Sequence, residues 1–223
     1  MLNYKQTDRP AITESKNMDL YKAIHSAQHC QRNFDLSKKM PTEDIKTLVV
    51  AATQCPSKQN VAFYKLHVIT SRDVINEIYE SCSGTGFDGD STPSNPQVLA
   101  NLVFVFEEYA NYDNSGPNRN PETKRADEDW AKAALNNDRN QAVGVAAGMV
   151  NLSAAQLGYG TGCCACILDM ARLKKAIGAK NGVLLVMGIG YRDTTRSRRE
   201  HHLHENVLFK TRKKQAVPLN YLK

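Results

Sequence analysis

No apolar run in the chain approaches the roughly 20 residues that a membrane-spanning helix needs. The opening stretch, MLNYKQTDRPAITESKNMDL, is polar throughout and lacks the apolar core of a secretory signal, so a cytoplasmic protein is the expectation. Thiols in that compartment are kept reduced, and six cysteines there do not amount to a disulfide framework. Internal repeats, low-complexity tracts and glycine-rich Walker loops are also missing. Gly188 and Gly190 make a Gly-x-Gly, but the third glycine is absent and no helical pattern opens after them, which argues against a Rossmann fingerprint.

Charge of one sign is scarce except at one place. The net charge is +6, yet between Arg192 and Lys214 eight basic residues face three acids. The rest of the chain is therefore nearly neutral. A solvated tail, a nucleic-acid patch and a local phosphate site all fit such a tract. No aromatic residue alternates with the charges from Arg196 to Arg199, which counts against nucleic acid. Arg196 and Arg198 would point the same way from an extended chain and could hold a phosphate between them.

What is present suits one domain. The 223 residues are long enough to bury a sizeable core, so residues 1–17 are expected to be a flexible arm and residues 18–223 a single domain. Helices are expected from Asp19 to His29, with Leu20, Ile24 and Ala27 on one face, and after Pro41, with Thr42 as N-cap. KLHVITS, LVFVFEE and GVLLVMGIGY read as strands, and Asp73 to Ser81 as a short helix. The stretches SGTGFDGDSTPSNP and Tyr109 to Trp130 read as loop, the second leading into a helix with the single tryptophan. Arg139 to Leu157 reads as a helix apolar nearly all round, rich in Ala and Gly, suited to a core or a subunit interface. Gly158, Gly160 and Gly162 would permit close backbone approach to a ligand. Alternating helices and strands give an α+β or α/β domain.

Taken in order, QHCQRNF, CPSKQNVAFY, SNPQVLANLVFVF, LGYGTG, VLLVMGIGY and TRSRRE resemble the nitroreductase family of FMN-dependent oxidoreductases. Gln28, His29 and Cys30 stand where the family pattern has Arg, Arg and Ser, while Arg32 and Phe34 are kept. Pro56, Ser57 and Asn60 match a second stretch. The resemblance implies an α+β fold with a central mixed, mainly antiparallel sheet flanked by helices, in an intertwined homodimer with FMN at the subunit interface. It implies that Gln28, His29, Cys30 and Arg32 lie near the ribityl phosphate and that Arg196 and Arg198 close on it. Pro56, Ser57, Lys58 and Asn60 would edge the flavin from the partner subunit, with Lys58 the candidate cation for the reduced ring. Asn95 and Gln97 would face its polar rim or ribityl chain. Cys163, Cys164, Ala165 and Cys166 would lie against the ring.

The implied activity is hydride transfer from NAD(P)H through FMN to a small acceptor such as a nitroaromatic or quinone, with no side chain needed as a catalytic nucleophile. Reductive dehalogenation or ring dehydrogenation on the same fold, and a flavin-binding protein without activity, are the alternatives. For GTGCCACILD, a zinc site lacks four ligands at workable spacing, since only Cys163 and Cys166 stand as Cys-x-x-Cys. A redox pair is a second reading. The favoured one is three small, soft side chains packed under a flavin.

Overall fold

A computed structural model of the chain describes residues 19–82, 96–109, 128–201, 203–209 and 214–221. The expected arm at 1–17, Asn95 and most of the 109–130 stretch lie outside the described residues.

A four-stranded sheet organises the domain. β1 (Tyr64–Ile69), β2 (Leu102–Glu108), β3 (Gly160–Cys164) and β4 (Val183–Gly190) are ordered β1-β2-β4-β3, and every pairing is antiparallel. β2 is central because six consecutive residues, Leu102 to Glu107, are buried and both edges are paired. β3 was not foreseen as a strand. Its glycines made it look like a ligand loop, whereas here Gly160 and Gly162 sit opposite Gly190 and Gly188 of β4.

Two apolar layers cover the sheet. On one face Leu102, Phe104, Phe106, Met187 and Ile189 pack with α2 (Thr42–Thr53) and α4 (Glu128–Gln156). On the other, Val103, Val105, Val186 and Cys164 pack with α3 (Arg72–Ser81) and α5 (Met170–Ile177). The alternation of β2 side chains between these layers follows from the two-residue period of a strand.

The helices explain themselves locally. In α2, Glu43 and Asp44 lie in the first turn, where the helix dipole favours acids. Its N-cap is Pro41, not Thr42, and makes no side-chain capping bond. α5 is capped by Asp169, which accepts from the Arg172 N–H. α4 is one continuous helix that includes Trp130, not two separate ones. Nor is it wholly buried: Ala142, Val143, Ala146, Val150 and Ala154 enter the core, while Val145 and Met149 are exposed. α1 (Leu20–Ala27) departs further from expectation, since only Ala23 is buried and Leu20 and Ile24 are exposed. Its apolar face is turned away from the core of its own chain.

The basic tract also holds an unforeseen hairpin of β5 (Glu200–His201) and β6 (His204–Leu208). No described helix is long and apolar enough to cross a membrane.

Candidate functional site

The segment after α1 runs across the end of the sheet and is laced to it. The Gln31 N–H donates to the Thr161 carbonyl at 2.7 Å, and the Asp35 N–H to the Tyr191 carbonyl at 2.9 Å. Phe34 bridges to Arg192. The segment fits because the strands beneath it are bare. A β-carbon on Gly162 would collide with the Gln31 carbonyl and the Gln97 side chain, and one on Gly188 with the Gln97 carbonyl. The close approach inferred for Gly160 and Gly162 is therefore real on this side, but protein chain occupies it, not a ligand.

Three asparagines that the sequence reading passed over hold the arrangement. Asn33 is fully buried, and its amide donates to the Ser197 and Glu200 carbonyls at 2.7 and 2.9 Å, fastening the turn between β4 and β5. Asn151 of α4 donates to the Ala27 carbonyl at 2.9 Å and accepts from the Thr161 hydroxyl. Asn101 donates to the Asp35 and Lys38 carbonyls and accepts from the Tyr191 N–H. Sequence offers little sign of these roles, because an asparagine in a loop or on a helix is ordinary and its partners lie up to 167 positions away.

The result joins both ends of the domain. The Arg32 guanidinium donates to the Arg198 carbonyl at 3.4 Å and lies over the Phe209 ring at 4.9 Å. The turn carrying Arg196 and Arg198 thus stands beside Gln28 to Arg32. Arg192 reaches Ser26 at the end of α1. Arg196 pairs with Asp193 at 3.6 Å, but among the described residues Arg32, Arg192, Arg198 and Lys214 have no carboxylate partner. Such a set has the charge and the fork-shaped donors that a phosphate monoester requires.

Around Cys30 burial is the main influence and raises its thiol above the ordinary value. Arg32, Arg198 and the Cys163 N–H act in the opposite direction. Cys163 is pushed up to about 11, by desolvation first and then by Cys30 and Cys164. Neither thiol is thereby made a ready nucleophile. None of the six cysteines is in a disulfide. Cys164 is buried and shares a hydrogen bond with Cys82 in the layer beneath the sheet. Cys163, Ala165 and Cys166 are exposed on the chain, so of the three cysteines only Cys164 packs within it. Among the described residues no group of three or more His, Cys, Asp or Glu could hold a metal ion.

Gln97 is buried against the strand glycines, its amide 3.5 Å from the Cys163 carbonyl. The Pro56 to Asn60 turn lies elsewhere. Ser57 donates to the Val61 carbonyl at 2.8 Å, Asn60 has a left-handed backbone with φ 56°, and Lys58 pairs with Asp138 of α4 at 2.7 Å. Asp138 is thirteen residues from Asn151, which touches the start of the cationic segment. At 1.5 Å per helical residue these two contacts are about 20 Å apart. One chain does not bring the two halves of the expected site together.

The comparisons with known proteins agree with this architecture. The nitroreductase family pattern matches residues 26–191, and the chain belongs to that family. A nitroreductase family protein of Clostridium novyi NT superposes with a TM-score of 0.59 at 16% identity, over 82% of this chain and 91% of that one. A protein of Exiguobacterium sibiricum solved in complex with FMN gives 0.60 at 16%, over 83% and 93%. An FMN-dependent nitroreductase of Clostridium difficile gives 0.51 at 15%, over 75% and 86%. No curated protein matches the chain.

Proposed function

We propose that the chain is an FMN-dependent oxidoreductase that passes hydride from NAD(P)H to a small acceptor, such as a nitroaromatic or quinone, by ping-pong exchange, and that it works as an intertwined homodimer in the cytoplasm. The observation that carries the flavin is the meeting of Arg32 with the Arg196 to Arg198 turn, 166 positions away, in a cluster rich in unpaired cations. When bound, FMN supplies a ring that accepts and returns two electrons.

The chain's own residues supply position and charge. Arg32 and Arg198, with Arg196 beside them, hold the phosphate by charge-assisted hydrogen bonds. Asn33 and Asn151 fix the segments that present those side chains. Cys163, Ala165 and Cys166 offer an exposed surface to the ring, with Cys164 anchoring that surface from below. Pro56, Ser57, Lys58 and Asn60 reach the ring from the partner chain, which accounts for their distance from the cations of their own chain. The exposed apolar side chains Leu20, Ile24, Val145 and Met149 form the surface against which that partner packs.

The test is direct. The purified full chain should bind FMN, and the bound flavin should be bleached anaerobically by NADH or NADPH and recoloured by a nitroaromatic or quinone. Sedimentation should give a dimer at micromolar concentration. A folded chain that binds no FMN, or that sediments as a clean monomer, overturns the reading.

A further inference from the structure

We propose that His201 latches the C-terminal hairpin: its neutral imidazole, bonded at both nitrogens, fastens β5 to α3 and so seats the Arg198 turn beside Arg32, and a proton on that ring releases the hairpin. The latch rests on contacts within the chain and stands apart from the flavin reading.

His201 is 1% exposed. The Leu203 N–H donates to its Nδ1 at 3.1 Å. A ring nitrogen that accepts carries no hydrogen, so the single N–H of the neutral ring is at Nε2. Nε2 lies 3.3 Å from the Tyr79 hydroxyl of α3, to which it donates. The two bonds together are made only by this one neutral tautomer. The titratable and charged groups around the ring come from four directions. From α3 comes Tyr79, whose phenol is pushed up to about 12, by burial first and then by Glu80, and so stays uncharged. From β6 comes the His204 ring at 4.8 Å. Phe209 stacks on His201 at 5.8 Å; its ring also meets the Arg32 guanidinium at 4.9 Å, and its carbonyl accepts from Arg199. On the segment of His201 itself stands Glu200, whose carbonyl is held by Asn33.

A hydrogen added at Nδ1 would face the Leu203 N–H, donor against donor, and would place a charge in a buried site. Opening the hairpin therefore takes up a proton wherever a solvated imidazole is charged. The stability the latch confers is complete above about pH 6.5 and is lost as pH falls below it. His201 is a positioning residue. Asn33 grips the turn at Ser197 and Glu200 from one side, and His201, the next residue, ties it to α3 from the other.

Hydrogen exchange of the full chain tests this, with rates corrected for the intrinsic effect of pH. Three amides report the turn and hairpin: Glu200, bonded to the Ser197 carbonyl, Leu203, bonded to His201, and Phe209, bonded to the Arg199 carbonyl. In wild type their opening should rise together by roughly tenfold to thirtyfold from pH 7.5 to pH 5, while the β2 amides keep their protection. His201→Asn keeps an acceptor for Leu203 but cannot take up the proton. It should open more readily than wild type at pH 7.5 and show no such rise. Ring-nitrogen shifts of wild-type His201 at pH 7 should report the neutral Nε2–H tautomer, a readout that needs no variant. Equal pH dependence in wild type and His201→Asn, or an imidazolium or Nδ1–H ring in the closed hairpin, overturns the latch. Neither result bears on whether the cationic cluster binds FMN.

Discussion

Two polar clusters lie in different parts of the domain and treat charge in opposite ways. At β1 and β2, the Glu107 carboxylate is buried and accepts from the Lys180 and Asn181 N–H groups at 2.7 and 2.8 Å; it also contacts His67 at 2.6 Å and Lys65 at 3.5 Å. Near β3, the Arg32 and Arg198 side chains have no acid partner among the described residues. A buried charge whose bonds are all met inside the chain holds the fold. A set of cations left unmatched costs mutual repulsion, and an anion from outside relieves it. The first cluster is structural, and the second is the one we propose for a ligand.

The largest effect expected from breaking this contrast is Glu107→Ala. It should lower stability by about 3 kcal/mol, because the Lys180 and Asn181 N–H groups and His67 lose a charged acceptor, and the protein that remains folded should keep its affinity for FMN. Denaturant unfolding and flavin titration check the two halves. Next come Arg32→Ala and Arg198→Ala, with the reverse pattern. Each removes charged hydrogen bonds worth roughly 1.5–3 kcal/mol to the ligand, about a tenfold to hundredfold loss in FMN affinity. Their melting temperatures without flavin should stay close to wild type, and riboflavin binding should not change. If either variant kept FMN as tightly as wild type, the cations would belong to a solvated surface.

Acid separates the two clusters further. For Glu107, burial is the largest influence and raises the pKa, but the bonds from Asn181, His67 and Lys180 together outweigh it and hold the group to about 2. Its folded value is depressed, so the stability it confers is complete above the ordinary carboxylate range and is lost as pH falls from about 4.5 toward 2. A melting series over that window should show a decline that Glu107→Gln lacks. The smallest effect is expected at Lys58, whose exposed pairing with Asp138 contributes at most about 1 kcal/mol. Lys58→Ala should therefore melt within a few degrees of wild type. A shift in the flavin reduction potential in that variant would sharpen the proposal by placing the partner's turn at the ring.

Much of this is legible in the sequence. The runs of LVFVFEE and GVLLVMGIGY are buried strands because no polar residue interrupts their central positions. Arg32, Arg196 and Arg198 stood out because permanent cations were concentrated in an otherwise balanced chain. β3 is not legible as a strand because a run with two cysteines and two glycines lacks the β-branched pattern of a strand, and its burial comes from what lies across it. Asn33, Asn101 and Asn151 were missed for a related reason. An asparagine takes its role from the carbonyls it meets, and those belong to distant segments.

The sequence by itself determined the class of the domain, the family, and the cationic character of its C-terminal turn, because period, apolar runs and charge are local properties of a chain. The tertiary structure decided that Arg32 and Arg198 meet while Lys58 does not join them. It also decided that Cys164 is buried while Cys163 is exposed. Each of those outcomes depends on which face of a strand or helix meets which neighbour, and only the packed chain fixes that.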